Sequence, residues 1–579
     1  MSFWRRHGAV SVRLAAWFGW LLALSALAVP MQNPDFFWHL SAGKYMAELW
    51  RFPVSDFLSW TRNGSPWVDF EWLFQLAAYL LYSSTGYWGV FAMRALMLGG
   101  VFFVFWRHLK LYGLQSFGFV LLPCLAVAFP SVDIRPDNIT VLLFSLWFYW
   151  LEKFRLGALG WSARRMMSAA FFTFLVWANW HAGFCYGLFL LVIYTLDAFY
   201  ERFKVRGRPE PKNGPGPERI LPAVLLAAVA GTLLNPYGVK IYAVVLEHNA
   251  LGAMLAQHIS EWRQSSIYFP SQRPYWVIMA VALTAFAIRT LKFSHMRLAH
   301  ALGLGYFAVA SVMHARHSIF MVLFGLPLAA DYCRELAAAL KLRKMVCAAA
   351  GVLLLAVLGR FAGFVWPQFR APVWFRAAEA DGPCRFLQAN KAELAGLRMF
   401  NPWEWGGYMG YRLYPDYLVF QDGRYIFHDF LQPLSQNYSN PVKWRQFLGR
   451  EGIELLVMKM QHDEQALPHK GRIVLVPTYM LFVSRKDWAV VYWDMAGVVF
   501  VRRTGVSPDW LKEHEFPQLW PDSFRLLGMK MLEGKIRPEN LRTEAERYEK
   551  QMAALGLAAR PAPQAVKNWF SGVSAAFPQ

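Results

Sequence analysis

The chain has 579 residues, of which 56% are hydrophobic and 17% aromatic, with a net charge of +21 and a mean hydropathy of +0.25. That balance excludes an ordinary soluble domain and a disordered chain, and matches a multi-pass membrane protein. The excess Lys and Arg sit in short loops between apolar runs, as orientation in a bilayer requires, so they do not argue for nucleic acid. The five cysteines are scattered without CxxC or metal-type spacing, so no disulfide framework is expected.

Arg5-Arg6 before an apolar run ending Ala-Leu-Ala-Val-Pro reads as an uncleaved signal-anchor. Apolar runs long enough to cross a bilayer follow near 13–30, 88–106, 114–130, 138–152, 166–180, 184–199, 220–234, 274–290, 297–312, 317–332 and 345–364, which makes about eleven spans. The run 71–83 is half-length and reads as an interfacial or re-entrant helix. If it does not cross and the N-terminus is cytoplasmic, the basic loops around Arg107, Lys153, Arg164, Arg202–Arg219, Arg289 and Lys341 all fall inside. If it crosses, every later loop inverts and the rule fails.

This topology puts compact polar groups at the outer ends of the spans: Asp35 and His39, Asp133-Ile134-Arg135-Pro136-Asp137, Asn179-Trp180-His181, Asn235-Pro236-Tyr237-Gly238, Glu261-Trp262-Arg263 and His314-Ala315-Arg316-His317. Ionisable groups at membrane depth are costly and mark functional sites. Asp35, just past the first run, suits a general base if burial raises its pKa. Asp56, Asp69 and Glu71 read as caps and solvated acids. Asp133, Arg135 and Asp137 alternate, so in an extended segment they share one face. They could bind a cation, orient the arginine toward a phosphate, or form a local salt-bridge cluster. His181, His314 and His317 with Arg316 add a basic pocket suited to a phosphate or diphosphate. No zinc-type spacing is present.

From about 370 the composition changes. Short β-type runs lie at Leu397–Phe400, Tyr417–Gln421 and Glu454–Met458, with a hairpin of 488–494 and 497–503 turning at Met495-Ala496. Helical stretches lie at 380–396 and 441–451, and a charged helical segment runs from Pro508 to about 557. The expected organisation is a helical membrane part over 1–369 with a first outer loop 31–87, an α/β domain outside the membrane over 370–506, and a helical extension 507–579. Trp403, Trp405, Tyr408 and Tyr414 could hold a glycan, although core packing is the more ordinary use of such aromatics.

An acid after the first span, a large first outer loop with interfacial helices, a second acidic motif and an outer C-terminal domain together resemble integral-membrane glycosyltransferases of the GT-C type. The strings Asp35-Phe-Phe-Trp-His-Leu40, Pro53-Val-Ser-Asp56, Arg135-Pro-Asp137, Asn179-Trp-His181, Gly406-Gly-Tyr-Met-Gly410 and Gln421-Asp-Gly-Arg424 are similar to bacterial multi-pass proteins of unassigned activity. No WWDYG-type acceptor motif occurs, which separates the sequence from oligosaccharyltransferases.

The resemblance implies a GT-C-like fold in a bacterial inner membrane, with the N-terminus cytoplasmic and the C-terminal domain periplasmic. It implies transfer of a sugar from a polyprenyl-phosphate-linked donor to a glycan, lipid or protein acceptor. In such an enzyme Asp35, Asp133 and Asp137 are the catalytic carboxylates, with Mg or Mn as a possible cation at the last two. His39, Arg135, His181, Glu261, His314, Arg316 and His317 bind substrate or phosphate. A lipid or glycan transporter, or a non-catalytic factor for envelope-polymer assembly, are the alternatives.

Overall fold

Long runs of Leu, Phe, Val and Ala broken by Gly, Pro and basic residues yield mostly helix, and short alternating β-branched runs near the C-terminus yield a small sheet. A computed structural model describes residues 33–128, 133–204, 216–293, 297–339, 379–460, 463–469, 472–521 and 533–559, with a few isolated positions outside these ranges. The expected spans at 13–30 and 345–364, most of the basic linker 202–219 and the C-terminal tail lie outside the described residues.

The chain divides into two units, Met1–Asn33 with Val68–Arg376, and Pro34–Trp67 with Ala377–Gln579. In chain order the helices are α1 (Phe36–Leu49), α2 (Trp72–Thr85), α3 (Tyr87–Leu111), α4 (Gly118–Ala128), α5 (Asp137–Arg155), α6 (Ala163–Trp180), α7 (Phe184–Lys204), α8 (Pro217–Leu233), α9 (Lys240–Ala250), α10 (Gly252–His258), α11 (Arg273–Phe293), α12 (Leu298–Met313) and α13 (Ser318–Ala339). Helices α2–α13 belong to the first unit. Each expected span within the described residues falls on one of them. Three are both long and apolar enough to cross a bilayer: Tyr87–Leu111, Phe184–Lys204 and Arg273–Lys292. Leu298–Met313 is apolar but shorter. The half-length run is the 14-residue α2, too short to span.

The core of the first unit is aromatic. Phe144 packs edge-on against Phe307 and Phe320, and Phe148 stacks on Phe324 at 4.5 Å. A buried polar knot lies where α5 and α7 end and α12 begins. Glu152 accepts hydrogen bonds from Tyr112 and Tyr194 hydroxyls (both 2.5 Å) and from Arg155 (2.6 and 2.8 Å), and lies 3.0 Å from His300 Nε2. A buried carboxylate is tolerable only when its lone pairs are filled in this way.

In the second unit the elements after 377 are α14 (Asp381–Ala389), α15 (Lys391–Leu394), β1 (Met399–Phe400), α16 (Trp403–Leu413), α17 (His428–Tyr438), α18 (Pro441–Arg450), β2 (Leu455–Lys459), β3 (Glu464–His469), β4 (Arg472–Pro477), α19 (Tyr479–Phe482), β5 (Trp488–Trp493), β6 (Gly497–Arg502), α20 (Pro508–His514) and α21 (Pro538–Ala554). The main sheet runs β1-β2-β6-β5, with β1 parallel to β2 and the rest antiparallel. The expected β5–β6 hairpin is present. Asp494 Oδ1 fixes its turn by accepting from the amides of Ala496 and Gly497 at 2.8 and 2.9 Å. The run 417–421 is not a sheet strand. Val419 instead bridges Ser59, exchanging backbone hydrogen bonds with Leu58 and Trp60.

Segment 34–67, which the sequence suggested as part of an outer loop of the membrane region, thus packs with the C-terminal residues. Trp60 Nε1 donates to the Met399 carbonyl at 2.8 Å, and Thr61 bonds the Phe420 carbonyl. Trp405 and Tyr408 are buried, with Tyr408 edge-on to Phe37, so both aromatics are packing residues.

Candidate functional site

The first unit gathers its polar residues at one set of helix ends. The loop before α5 folds on itself: Asp133 Oδ1 accepts from the Ile134 amide at 2.7 Å, and Asn138 Nδ2 donates to the Asp133 carbonyl at 2.9 Å. Asp137 opens α5, where its charge meets the positive end of the helix dipole. The Arg135 guanidinium forks onto Glu261, at 2.6 and 3.0 Å. Glu261 sits on a single 3₁₀ turn, Ser260–Trp262, that follows α10. This turn is held to the α12–α13 connection, since Ala315 N donates to the Arg263 carbonyl at 2.9 Å and His314 Nδ1 lies 2.7 Å from the Trp262 carbonyl. The connection delivers Arg316, whose guanidinium lies 3.9 Å from Glu261 and 4.9 Å above the Trp262 ring.

His181, between α6 and α7, closes the group. Its Nδ1 accepts from the Gly183 amide at 3.0 Å and lies 2.9 Å from Thr140 Oγ1, which itself accepts from Trp177 Nε1. Filling Nδ1 with donors leaves the proton of the neutral ring on Nε2, which lies 3.9 Å from Glu71. His317 packs edge-on against Tyr186 and His314.

The electrostatics follow from two cations sharing one carboxylate. Burial alone would raise the Glu261 pKa, but Arg135 and Arg316 overcome it and hold the group at about 2. Burial, reinforced by the same arginines, lowers His181 to about 3; burial, Arg316 and His314 lower His317 to about 3. At neutral pH the guanidinium groups of Arg135 and Arg316 therefore face the Glu261 carboxylate, the rings of His181 and His317 are neutral, and Glu71 adds a second carboxylate 3.9 Å from His181.

The structure thus brings Arg135, His181, Glu261, His314, Arg316 and His317 together, and adds Glu71, Thr140 and Trp262. Glu71 was legible only as a cap, because its partner is more than a hundred residues away in sequence. The alternation expected to turn Asp133, Arg135 and Asp137 to one face is broken by the helix that begins at Asp137. Among the described residues no group of three His, Cys, Asp or Glu is placed to hold a metal ion.

Asp35 and His39 lie in the second unit. Asp35 precedes α1, and a Cβ on Gly423 would collide with its Oδ1, so the carboxylate rests directly on that backbone. His39 is buried, its ring 3.6 Å from that of Trp38. Nearby strings prove structural. Arg424 Nη2 lies 2.7 Å from both Asp56 and Asp422, all three are buried, and the guanidinium sits 4.6 Å above Trp67. Asp56 also accepts from the Leu58 and Ser59 amides and from Ser59 Oγ at 2.6 Å.

No protein-family profile matches the sequence, and no curated protein does. Solved structures do match in fold. The oligosaccharyltransferase AglB from the archaeon Archaeoglobus fulgidus, in complex with an inhibitory peptide and a dolichol-phosphate, aligns over 98% of this chain and 86% of its own, with TM-score 0.51 and 9% identity. An Archaeoglobus fulgidus oligosaccharyltransferase tethered to an acceptor peptide aligns over 79% and 70%, with TM-score 0.48 and 10% identity. The first of these shows that the chain shares the fold of that oligosaccharyltransferase.

Proposed function

We propose that the protein is a membrane glycosyltransferase that moves a sugar from a polyprenyl-phosphate-linked donor to an acceptor at the outer face of a bacterial inner membrane. The observation that carries this reading is the pair Arg135 and Arg316 sharing Glu261 at the ends of apolar helices. Guanidinium forks suit a phosphate oxyanion, and a partly desolvated site strengthens their hold on it. The likeness in fold to a protein complexed with a dolichol-phosphate is consistent with a lipid-linked donor.

On this reading Arg135 and Arg316 bind the donor's phosphate and stabilise the charge that develops on it as the glycosidic bond breaks. Glu261 fixes the direction of both guanidinium groups. Neutral His181 offers its Nε2 proton as a donor, and His314 and His317 line the same site. Asp35 is assigned as general base on the acceptor hydroxyl, with Asp133 and Asp137 as further carboxylates of the reaction. The membrane part crosses the bilayer about eleven times.

The test uses the full chain in lipid nanodiscs. Native mass spectrometry should detect a bound polyprenyl phosphate, with occupancy falling at least tenfold in Arg135→Ala and Arg316→Ala. Asp35→Asn should keep that occupancy and lose sugar transfer. Equal occupancy in the arginine variants removes the phosphate site. Full transfer by Asp35→Asn removes the base.

A further inference from the structure

A second cationic site lies in the unit that contains the sheet. A cavity of about 430 Å³ opens where α18 meets the end of β6 and the turn leading into β5. That volume is within the roughly 300–1,000 Å³ of small-molecule sites. Its floor is apolar and rigid, because Leu448 and Trp488 are both buried. Its walls carry Arg445, Lys486, Arg502 and Arg503.

The charges are not balanced. Arg503 is engaged by Glu515, and Arg445 donates to the Leu481 carbonyl at 3.1 Å. Among the described residues, Arg445, Lys486 and Arg502 form no ion pair. Asp487 is the single carboxylate in the lining. Arg502 lies opposite Trp488 across the β5–β6 ladder, with its guanidinium 5.4 Å above the indole. Its Nε is sealed from solvent yet meets no hydrogen-bond acceptor. A buried donor without an acceptor is costly unless a ligand completes it.

Several elements cooperate to hold this arrangement. The Asp487 and Trp488 amides both donate to the Ser484 carbonyl, which winds 484–488 into a tight turn and sets Lys486 at the rim. The Arg503 amide donates to the Asp487 carbonyl at 2.9 Å, tying that turn to the end of β6.

We propose that this cavity binds a small acidic molecule through its anionic group, a carboxylate or a phosphate. Arginines with planar forks match both groups in a bidentate way, and a concave wall encloses a discrete anion. A surface meant for anionic lipid would instead be flat, with apolar side chains projecting from it. The site does not depend on the glycosyltransferase reading, and it is tested by equilibrium binding without turnover.

The experiment is titration calorimetry on the full chain in neutral detergent, with trigalacturonate, a glycerol-phosphate trimer and maltotriose as probes. At least one acidic probe should bind at least tenfold tighter than maltotriose, and the tighter of the two identifies the carboxylate or phosphate source. Lys486→Glu and Arg445→Glu, both at exposed positions, should each weaken that binding at least tenfold with an unchanged melting temperature. Equal binding of maltotriose, or undiminished binding by Lys486→Glu and Arg445→Glu, overturns the proposal. So does binding to phosphatidylglycerol vesicles with none to either acidic probe, which would make the face a membrane contact. Arg502→Lys should keep the charge but lose affinity if the fork matters.

Discussion

Arg135 and Arg424 show two uses of the same side chain. Arg424 is buried between two carboxylates. Burial pulls its pKa down, but Asp422 and Asp56 push it above the ordinary arginine range. Its charge is fully answered and serves the fold. Replacing it with Met leaves two buried carboxylates facing each other, which costs about 3–5 kcal/mol. Thermal unfolding of Arg424→Met should show a clear drop in melting temperature of the second unit; a shift within error would mean that the triad contributes nothing. The Arg135 cluster titrates. Glu261 is held at about 2 in the fold against an ordinary 4.5, so its contribution is complete above pH 4.5 and is lost as pH falls toward 2. His181, lowered to about 3 from 6.5, stays neutral in the fold while the unfolded ring takes up a proton below 6.5. Both effects destabilise on acidification, and the histidine acts first. Melting temperature should fall between pH 7 and pH 5, less so in His181→Gln. The sequence revealed which residues are ionisable and which end of the helices they occupy. It did not reveal partners: Asp56 looked like a cap, and it is one, but its pairing with Arg424 depends on chain that returns hundreds of residues later.

At the level of elements, helices were legible wherever apolar period and length agreed; α9, α10 and α17 went unread, and so did α16. Its sequence Trp403-Glu-Trp-Gly-Gly-Tyr-Met-Gly-Tyr-Arg-Leu413 holds three glycines, which disfavour helix by about 1 kcal/mol each. Tertiary packing overrides that preference. A Cβ at Gly407 would lie 3.1 Å from the Pro34 carbonyl and 3.2 Å from the Trp38 amide, and one at Gly410 would press on Leu58 at 2.8 Å. At Gly406 a Cβ would collide with the Gln421 carbonyl. The glycines let α16 lie directly on α1 and on the backbone of 421–422. Gly406→Ala should therefore lower the melting temperature by several degrees, whereas Gly449→Ala, on α18 with open space around it, should leave it level or raise it slightly. Equal effects would refute the close-approach account. The β3–β4 hairpin also went unread, because Glu464–His469 is polar, contains Pro468 and lacks the alternation that marks a strand.

For the whole molecule, apolar content and loop charge pointed to a multi-pass membrane protein, the motifs resembled the GT-C type, and the chain shares the fold of an archaeal oligosaccharyltransferase. The topology drawn from the basic loops makes a direct prediction. In intact cells a membrane-impermeant maleimide should spare Glu210→Cys and label Gln436→Cys, because the first sits in the basic linker and the second on the exposed side of α17. The reversed pattern would invert the orientation. The division into units could not be read from composition, which changes near 370 but not at 34 or 67. The chain leaves the first unit at Pro34, returns at Val68 and leaves again at Ala377.

That interrupted path has a consequence for biosynthesis. The segment carrying Asp56 and Trp60 leaves the ribosome long before Val419 and Arg424 exist. At about 5–20 residues per second the delay is on the order of tens of seconds. Through that interval the early segment has no Val419 backbone to bridge and no guanidinium to answer Asp56. Completion of the second unit is thus necessarily post-translational with respect to its own first piece. A nascent chain stalled before residue 419 should leave 34–67 open to protease, and release of the full chain should close it.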